Sequence, residues 1–272
     1  MKEFLLTNKV VFITGANGLI GREVADALAS AGANLALLDM ASGSAIDNYA
    51  IELSSRYSIK SKTYHASITD VERVGATVND IVKHFGKIDV LINLAAIDAK
   101  FDENIGETPK TAFEDFPLDL WQKSINVNVT GTFNVTQQVV KQMLKQNSGN
   151  IINVASTYSL VSPNQGLYKF KGKDEQLFKP VDYVASKSMI PNFTRYLATF
   201  YGEDGIRVNT IVPHGIVNNA PEEFIKNFSK LSPLGRMCHK EELRGPFIFL
   251  ASDASSYMTG STLVVDGGWT AW

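Results

Sequence analysis

Short apolar runs rich in β-branched residues recur along the chain, and between them lie longer stretches whose apolar positions return every three or four residues. The runs KVVFIT (9–14), NLALLD (34–39), KTYHAS (62–67), IDVLIN (88–93), NIINVA (150–155), RVNTIV (207–212) and TLVVD (262–266) predict strands. Most are apolar almost throughout, as a strand must be when helices cover both its faces. Helices are predicted at 19–31, 44–57, 70–85, 119–146, 182–202 and 240–251. The first of them runs into Gly32, a residue able to take the left-handed conformation that closes a helix. Strand and helix alternate along the whole chain, so the expected fold class is α/β with a doubly wound parallel sheet.

Its 272 residues contain no repeat, low-complexity tract or linker, and are read as a single domain, 1–272, long enough to bury a large core. Three segments, 97–118, 156–181 and 214–235, escape the pattern and are read as loop elaborations. A formal net charge of −2 leaves no electrostatic case for nucleic acid or an anionic membrane as the main partner. The one cysteine, Cys238, cannot form an internal disulfide and is read as a packed thiol, in keeping with a reducing compartment. The N-terminal MKEFLLTNK has no apolar stretch long enough for a signal peptide or a membrane span, so a cytoplasmic protein is the default expectation. His65, His84 and His239 show no metal-ligand spacing, and no metal is expected.

Candidate chemistry begins at TGANGLIG, residues 14–21, between the first predicted strand and the first predicted helix. Gly15, Gly18 and Gly21 let the backbone turn tightly and approach a pyrophosphate, which the free N–H groups and positive dipole end of the helix attract. The second strand then ends in Asp39, close to the distance of about 20 residues at which a carboxylate meets the adenosine ribose. A carboxylate there accepts hydrogen bonds from both ribose hydroxyls and repels a 2′-phosphate, so NAD is favoured over NADP. On these residues alone, a set of turn glycines with a solvated strand-end aspartate remains the competing account.

Tyr183-Val-Ala-Ser-Lys187 opens a predicted helix that follows five predicted strands. A spacing of four places phenol and ammonium on one helix face, and a cation beside a phenol stabilises the phenolate. The tyrosine then becomes a usable proton donor or acceptor. Alone, the motif is no more than a surface pair; its place at the carboxyl ends of a parallel sheet is where such folds bind ligands.

In order, TGANGLIG, Asp39, Asp70 in SITD, NLAA at 93–96, NVTG at 128–131, Ser156 after NIINVA, YVASK, RVNTIVPHG at 207–215 and LASDASSYMTGSTLVVDGG at 250–268 resemble the short-chain dehydrogenase/reductase family over nearly the whole chain. The resemblance implies a Rossmann-type, seven-stranded parallel sheet with helices on both faces and a catalytic set of Asn128, Ser156, Tyr183 and Lys187. In that set Tyr183 exchanges the hydroxyl proton, Ser156 holds the substrate oxygen, Lys187 binds the nicotinamide ribose and depresses the tyrosine pKa, and Asn128 supports a water-mediated proton path to the lysine. It implies cofactor contacts from Gly15, Asn17, Gly18, Leu19, Ile20, Gly21, Asp39, Asn93, Ala95, Tyr183, Lys187, Pro213, Gly215 and Ile216. It also implies a homodimer or homotetramer formed through the helices at 119–146 and 182–202.

Several positions depart from the family's pattern. The middle glycine, Gly18, gives the G-x-x-G-x-x-G form of the extended branch that includes nucleotide-sugar epimerases, whereas the chain length, the Asn128 motif and the DGG ending belong to the classical branch. Asn93-Leu-Ala-Ala96 stands for N-N-A-G, Ser67 for the aspartate after the third strand, and Pro213-His214-Gly215 for P-G. His214 is read as a spacer or packed residue in preference to a substrate contact.

The stretch 157–182 between Ser156 and Tyr183 is longer than the family's usual spacing, and a second elongation spans 98–121. Extra loop length costs little closure entropy and need not move either anchor. Both loops leave carboxyl ends of strands, where specificity is carried. Lys169, Lys171, Lys173 and Lys179, with Tyr168, Phe170 and Phe178, form either a lid over a polar, sugar-like substrate or a solvated cluster or subunit contact. Trp269 and Trp272 are candidates to cover the cleft or a neighbouring subunit, or for core packing. The long insertion, F-K-P-V-x-Y, TRYLATFYGEDGIRVN and the terminal VVDGGWTAW resemble oxidoreductases of bacterial flagellin-modification and nonulosonic (legionaminic-type) sugar clusters. An NAD-dependent oxidoreductase of a sugar-like alcohol or ketone is the leading expectation. The alternatives are a 3-oxoacyl-carrier-protein reductase-like enzyme and a non-catalytic nucleotide-binding regulator on the same fold.

Overall fold

The computed structural model describes residues 2–41, 43–98, 112–169 and 177–272. Parts of both elongated loops, 99–111 and 170–176, lie outside the described residues, and with them Phe170, Lys171 and Lys173. Strands β1 (Val10–Thr14), β2 (Asn34–Asp39), β3 (Ser61–His65), β4 (Val90–Asn93), β5 (Gly149–Val154), β6 (Ile206–Pro213) and β7 (Thr262–Val265) form one parallel sheet in the order β3-β2-β1-β4-β5-β6-β7. In-register pairs such as Phe12↔Ala36, Phe12↔Leu91 and Ile152↔Asn209 tie its middle together. The order reverses between β1 and β4, which opens a crevice at their carboxyl ends.

Side-chain alternation along the strands feeds two cores. Val11 and Ile13 of β1 pack with helices α1 (Leu19–Ser30), α2 (Ser44–Tyr57) and α9 (Arg244–Ala251), through Val24, Leu28, Leu53 and Phe247. Val10 and Phe12 face the other way, against α3 (Val71–Phe85), α5 (Thr132–Gln146) and α7 (Ile190–Tyr201), through Val74, Ile81, Val139 and Leu197. Side chains of this size contribute roughly 1.5–3 kcal/mol each when fully buried. That double coverage is why the strands read as continuous apolar runs.

The remaining helices depart from the sequence expectation. The stretch expected as one helix at 119–146 is α4 (Leu118–Ser124), a π-helical turn (Ile125–Gly131) and α5. The expected 182–202 helix divides into α6 (Val181–Ser188) and α7, because Pro191, with no N–H to donate, sits in the first turn of the second piece. The expected 240–251 helix begins as a 3-10 turn, Lys240–Leu243. The irregular 214–235 segment holds an unexpected helix, α8 (Glu222–Leu231), whose Phe228 packs with Leu167, Tyr168, Met237 and Trp269 in a third, smaller core. Asp70 caps α3, its carboxylate accepting from the N–H of Arg73 at 3.0 Å. No helix among the described residues is long and apolar enough to cross a membrane.

Candidate functional site

At the carboxyl end of β1 the chain turns at Gly15, which has φ +69°, and a Cβ there would come within 2.7 Å of the Ala95 backbone. A Cβ on Gly21 would run into the Gly15 carbonyl. Only glycine therefore fits these positions, and the loop lies close against the segment after β4. Gly18 begins α1 with no side-chain cap, so side chains leave the first-turn N–H groups of Leu19, Ile20 and Gly21 unclaimed. Asp39, at the end of β2, accepts from the N–H of Asn17 at 2.9 Å and of Ala41 at 3.0 Å. Its carboxylate thus stands beside the glycine turn. A cradle that a side chain would fill, a helix N-terminus and an adjacent carboxylate together fit a dinucleotide.

The segment after β4 is held by Thr14, whose hydroxyl accepts from the N–H groups of Leu94 and Ala95 at 3.1 and 3.2 Å. Asn93 turns inward: its amide donates to Thr136 at 2.9 Å and Asn153 at 2.8 Å, and it is 5% exposed. Any dinucleotide contact from this residue falls to its backbone. Pro213 ends β6; beyond it the Gly215 carbonyl accepts from Cys238 N–H at 2.8 Å, and Ile216 bridges to Cys238. Cys238 is a half-buried free thiol, pushed up from its ordinary range by burial.

Ser156 follows β5, and Tyr183 and Lys187 lie on α6; Ser156 hydrogen-bonds the Tyr183 phenol across the long insertion. Lys187 is buried and donates to the Val154 carbonyl at 2.8 Å. Asn128, in the π-turn, accepts from Ile97 N–H at 2.8 Å and donates to the Ile97 carbonyl at 3.0 Å and to Ser186 at 2.9 Å. It therefore couples the post-β4 segment to the helix that carries Tyr183 and Lys187. π-Turns recur at functional sites because they re-aim one side chain without ending the helix.

Burial dominates the electrostatics. It pushes the Lys187 ammonium down to about 8, while the negative charge of Asp98 acts in the opposite direction. It also pushes the Tyr183 phenol up, helped by Asp98 and opposed by the Ser156 hydrogen bond. The spacing of tyrosine and lysine predicts the reverse for Tyr183, but desolvation of the phenolate dominates its shift. His214 packs against Trp269 and Phe228, with ring centroids 4.5 and 5.0 Å apart, and its Nδ1 bonds the Thr157 hydroxyl. Trp269 is part of the same packing, and Trp272 is exposed.

Sequence reasoning did not single out Asp98. It follows the fourth strand as the first of several acids in the acidic 98–119 loop, and only tertiary structure sets it apart from the others. Its carboxylate oxygens lie 2.7 and 2.5 Å from Nζ of Lys179, which sits 4.2 Å from the Tyr183 ring centroid. Lys179 also lines a cavity of about 480 Å³ with Phe113, Pro163, Gln165, Phe178 and Val184, so described parts of both elongated loops meet there. Among the described residues no cluster of His, Cys, Asp or Glu could hold a metal.

A family model described as enoyl-(acyl carrier protein) reductase matches residues 15–270. The chain is 30% identical to an NADP-dependent mannitol dehydrogenase of Alternaria alternata, over 98% of this chain and 94% of that one. It is also 30% identical to an NAD-dependent glycerol dehydrogenase of Listeria innocua, over 99% and 96%. A solved structure of NAD+-bound xylitol dehydrogenase superimposes with a TM-score of 0.84 at 29% identity, covering 97% of this chain and 99% of that chain.

Proposed function

The chain belongs to the short-chain dehydrogenase/reductase family, and on that premise we propose that it is an NAD(H)-dependent oxidoreductase that interconverts a secondary alcohol and a ketone on a sugar-like substrate. The observation that carries the reading is the joining of Ser156, Tyr183 and Lys187 at one crevice despite the insertion between them. The similarity to dehydrogenases of mannitol, glycerol and xylitol supports a polyhydroxylated substrate. A bound dinucleotide would supply hydride chemistry at the substrate carbon. Gly15, Asn17, Gly18, Leu19, Ile20 and Gly21 would cradle its pyrophosphate, Asp39 its adenosine ribose and Lys187 its nicotinamide ribose, with Ala95, Pro213, Gly215 and Ile216 lining the crevice.

Ser156 holds the substrate oxygen, and Tyr183 gives that oxygen its proton in reduction or takes it in oxidation. Because burial raises the phenol's pKa, Tyr183 is ready as an acid at neutral pH, whereas oxidation requires its prior deprotonation. Carbonyl reduction should therefore be flat through neutral pH while alcohol oxidation rises toward alkaline pH. Asn128 keeps the post-β4 segment and α6 in register. Replacing Tyr183 by Phe should lower turnover about 10²–10⁴-fold and leave NAD binding in place. Full turnover by that variant would remove Tyr183 from the reaction.

Asp39 supports NAD over NADP, although relatives of both kinds occur. A carbonyl panel with NADH and NADPH tests cofactor and substrate together. Nonulosonic-type amino- and keto-sugars belong in it because of the finer resemblance. An acyl thioester belongs there too, because the matching family model is described by an acyl-carrier substrate. Binding without turnover of any member would favour a regulator. Exposed Phe133, Tyr196 and Phe200 on α5 and α7 support a homo-oligomer, which sedimentation of the wild type and a Tyr196→Glu/Phe200→Glu variant would test.

A further inference from the structure

Lys179 is 8% exposed, an unusual burial for a lysine. Three contacts fix it. The Gln165 side chain accepts from its N–H at 2.8 Å and donates to its carbonyl at 3.3 Å; both oxygens of Asp98 take its ammonium; and the ammonium lies on the face of the Tyr183 ring. The pair joins the segment after β4 to the insertion before α6, at the residue proposed to exchange the proton. Its two halves face differently. The lysine is enclosed, while 40% of the Asp98 side chain is exposed. A carboxylate offers about four acceptor directions and the ammonium occupies only part of them, so the outward face of this pair is an acceptor with its charge partly balanced.

We propose that Asp98 receives a substrate hydroxyl next to the reacting carbon and that Lys179 is a positioning residue that holds this carboxylate beside Tyr183. The substrate class that follows is an uncharged polyol. A hydroxyl donates to the free acceptor positions in a charge-assisted bond. A sugar acid would bring a second carboxylate against Asp98, and an acyl chain would desolvate it with no donor in return. The charge of Asp98 also reaches both Tyr183 and Lys187, which places it at the centre of the candidate site. The inference rests on Tyr183 as the proton-exchanging group.

The test uses the full chain with NAD and compares oxidation of threitol with that of cyclohexanol, which has one hydroxyl. Asp98→Asn should lower the ratio of kcat/KM for threitol to that for cyclohexanol about tenfold or more, chiefly through KM. The double variant Asp98→Ala/Lys179→Met, which leaves no buried cation unpaired, should do the same. Lys179→Met should lower the ratio and Lys179→Arg should largely restore it, which a purely structural role would not produce. An unchanged ratio in variants that melt like the wild type overturns the inference, and so does a wild-type preference for gluconate over threitol. Activity retained by Tyr183→Phe overturns the reaction reading instead, whatever the Asp98 variants do. Failure of the NAD-bound wild type to oxidise either alcohol removes both.

Discussion

Lys187 holds its charge in an environment that disfavours it. Its pKa is about 8 in the folded protein against an ordinary 10.5. Between those values the unfolded chain binds more protons, so stability should climb as pH rises from 8 to 10.5, and the full penalty stands below 8. Lys187→Met removes the penalty together with one hydrogen bond to Val154, worth about 1 kcal/mol. The variant should be inactive yet more stable at pH 7 by on the order of 1–2 kcal/mol, with the gain shrinking toward pH 9.5. Thermal melts at the two pH values check both signs. Asp39 makes the opposite kind of contribution: it anchors the glycine turn through Asn17 and, in the proposed role, the adenosine ribose. Asp39→Ala should weaken NADH binding about tenfold or more and narrow the preference over NADPH, which fluorescence titration measures directly.

Helix α8 and the insertion support each other through one small core. Phe228 stacks on Trp269 at 4.7 Å, and Phe224 contacts Tyr168 at 5.5 Å, so residues from three distant parts of the chain make a wall behind His214. Phe228→Ala should cost about 3–5 kcal/mol if this core unfolds with the whole, and less if it opens locally. Trp269 fluorescence against urea distinguishes the cases: an early transition means local opening, and a single shifted transition means global loss. The elements differ in how legible they were. The inner strands β1, β2, β4, β5 and β6 announced themselves because both faces are buried, whereas β3 and β7 at the sheet edges are only partly covered. Helix α8 also carried signals, in the apolar spacing of Phe224, Ile225, Phe228 and Leu231 and the acidic first turn after Pro221, but they were short and set in an irregular segment. The π-turn around Asn128 left no trace, since one widened turn barely changes the spacing of apolar residues. Asp98 was illegible for another reason: no periodicity marks one acid out of the several in the 98–119 loop, and its partner lies beyond β5 on the insertion.

At the scale of the whole molecule, the sheet order places the ends of β1, β2, β4, β5 and β6 around one crevice, so loops can lengthen while their anchors stay fixed. The same arrangement buries His214 behind the end of β6, where acid should find it. Its pKa is held down to about 4, from an ordinary 6.5, by burial, with Asp266 opposing and Lys179 assisting. As pH falls from 6.5 toward 4 the unfolded chain takes up a proton that the folded chain resists, so stability is lost across that window, by at most about 3 kcal/mol. The exposed carboxylate of Glu242 is held down to about 2 beside Arg236, and its contribution is lost only below its ordinary 4.5. The upper part of the acid limb therefore belongs chiefly to His214. His214→Gln should flatten the fall in melting temperature between pH 6.5 and 4.5 and leave the steeper decline below 4.5. A slope between pH 6.5 and 4.5 equal to that of the wild type would mean that the imidazole escapes its packing against Trp269 before it takes up a proton.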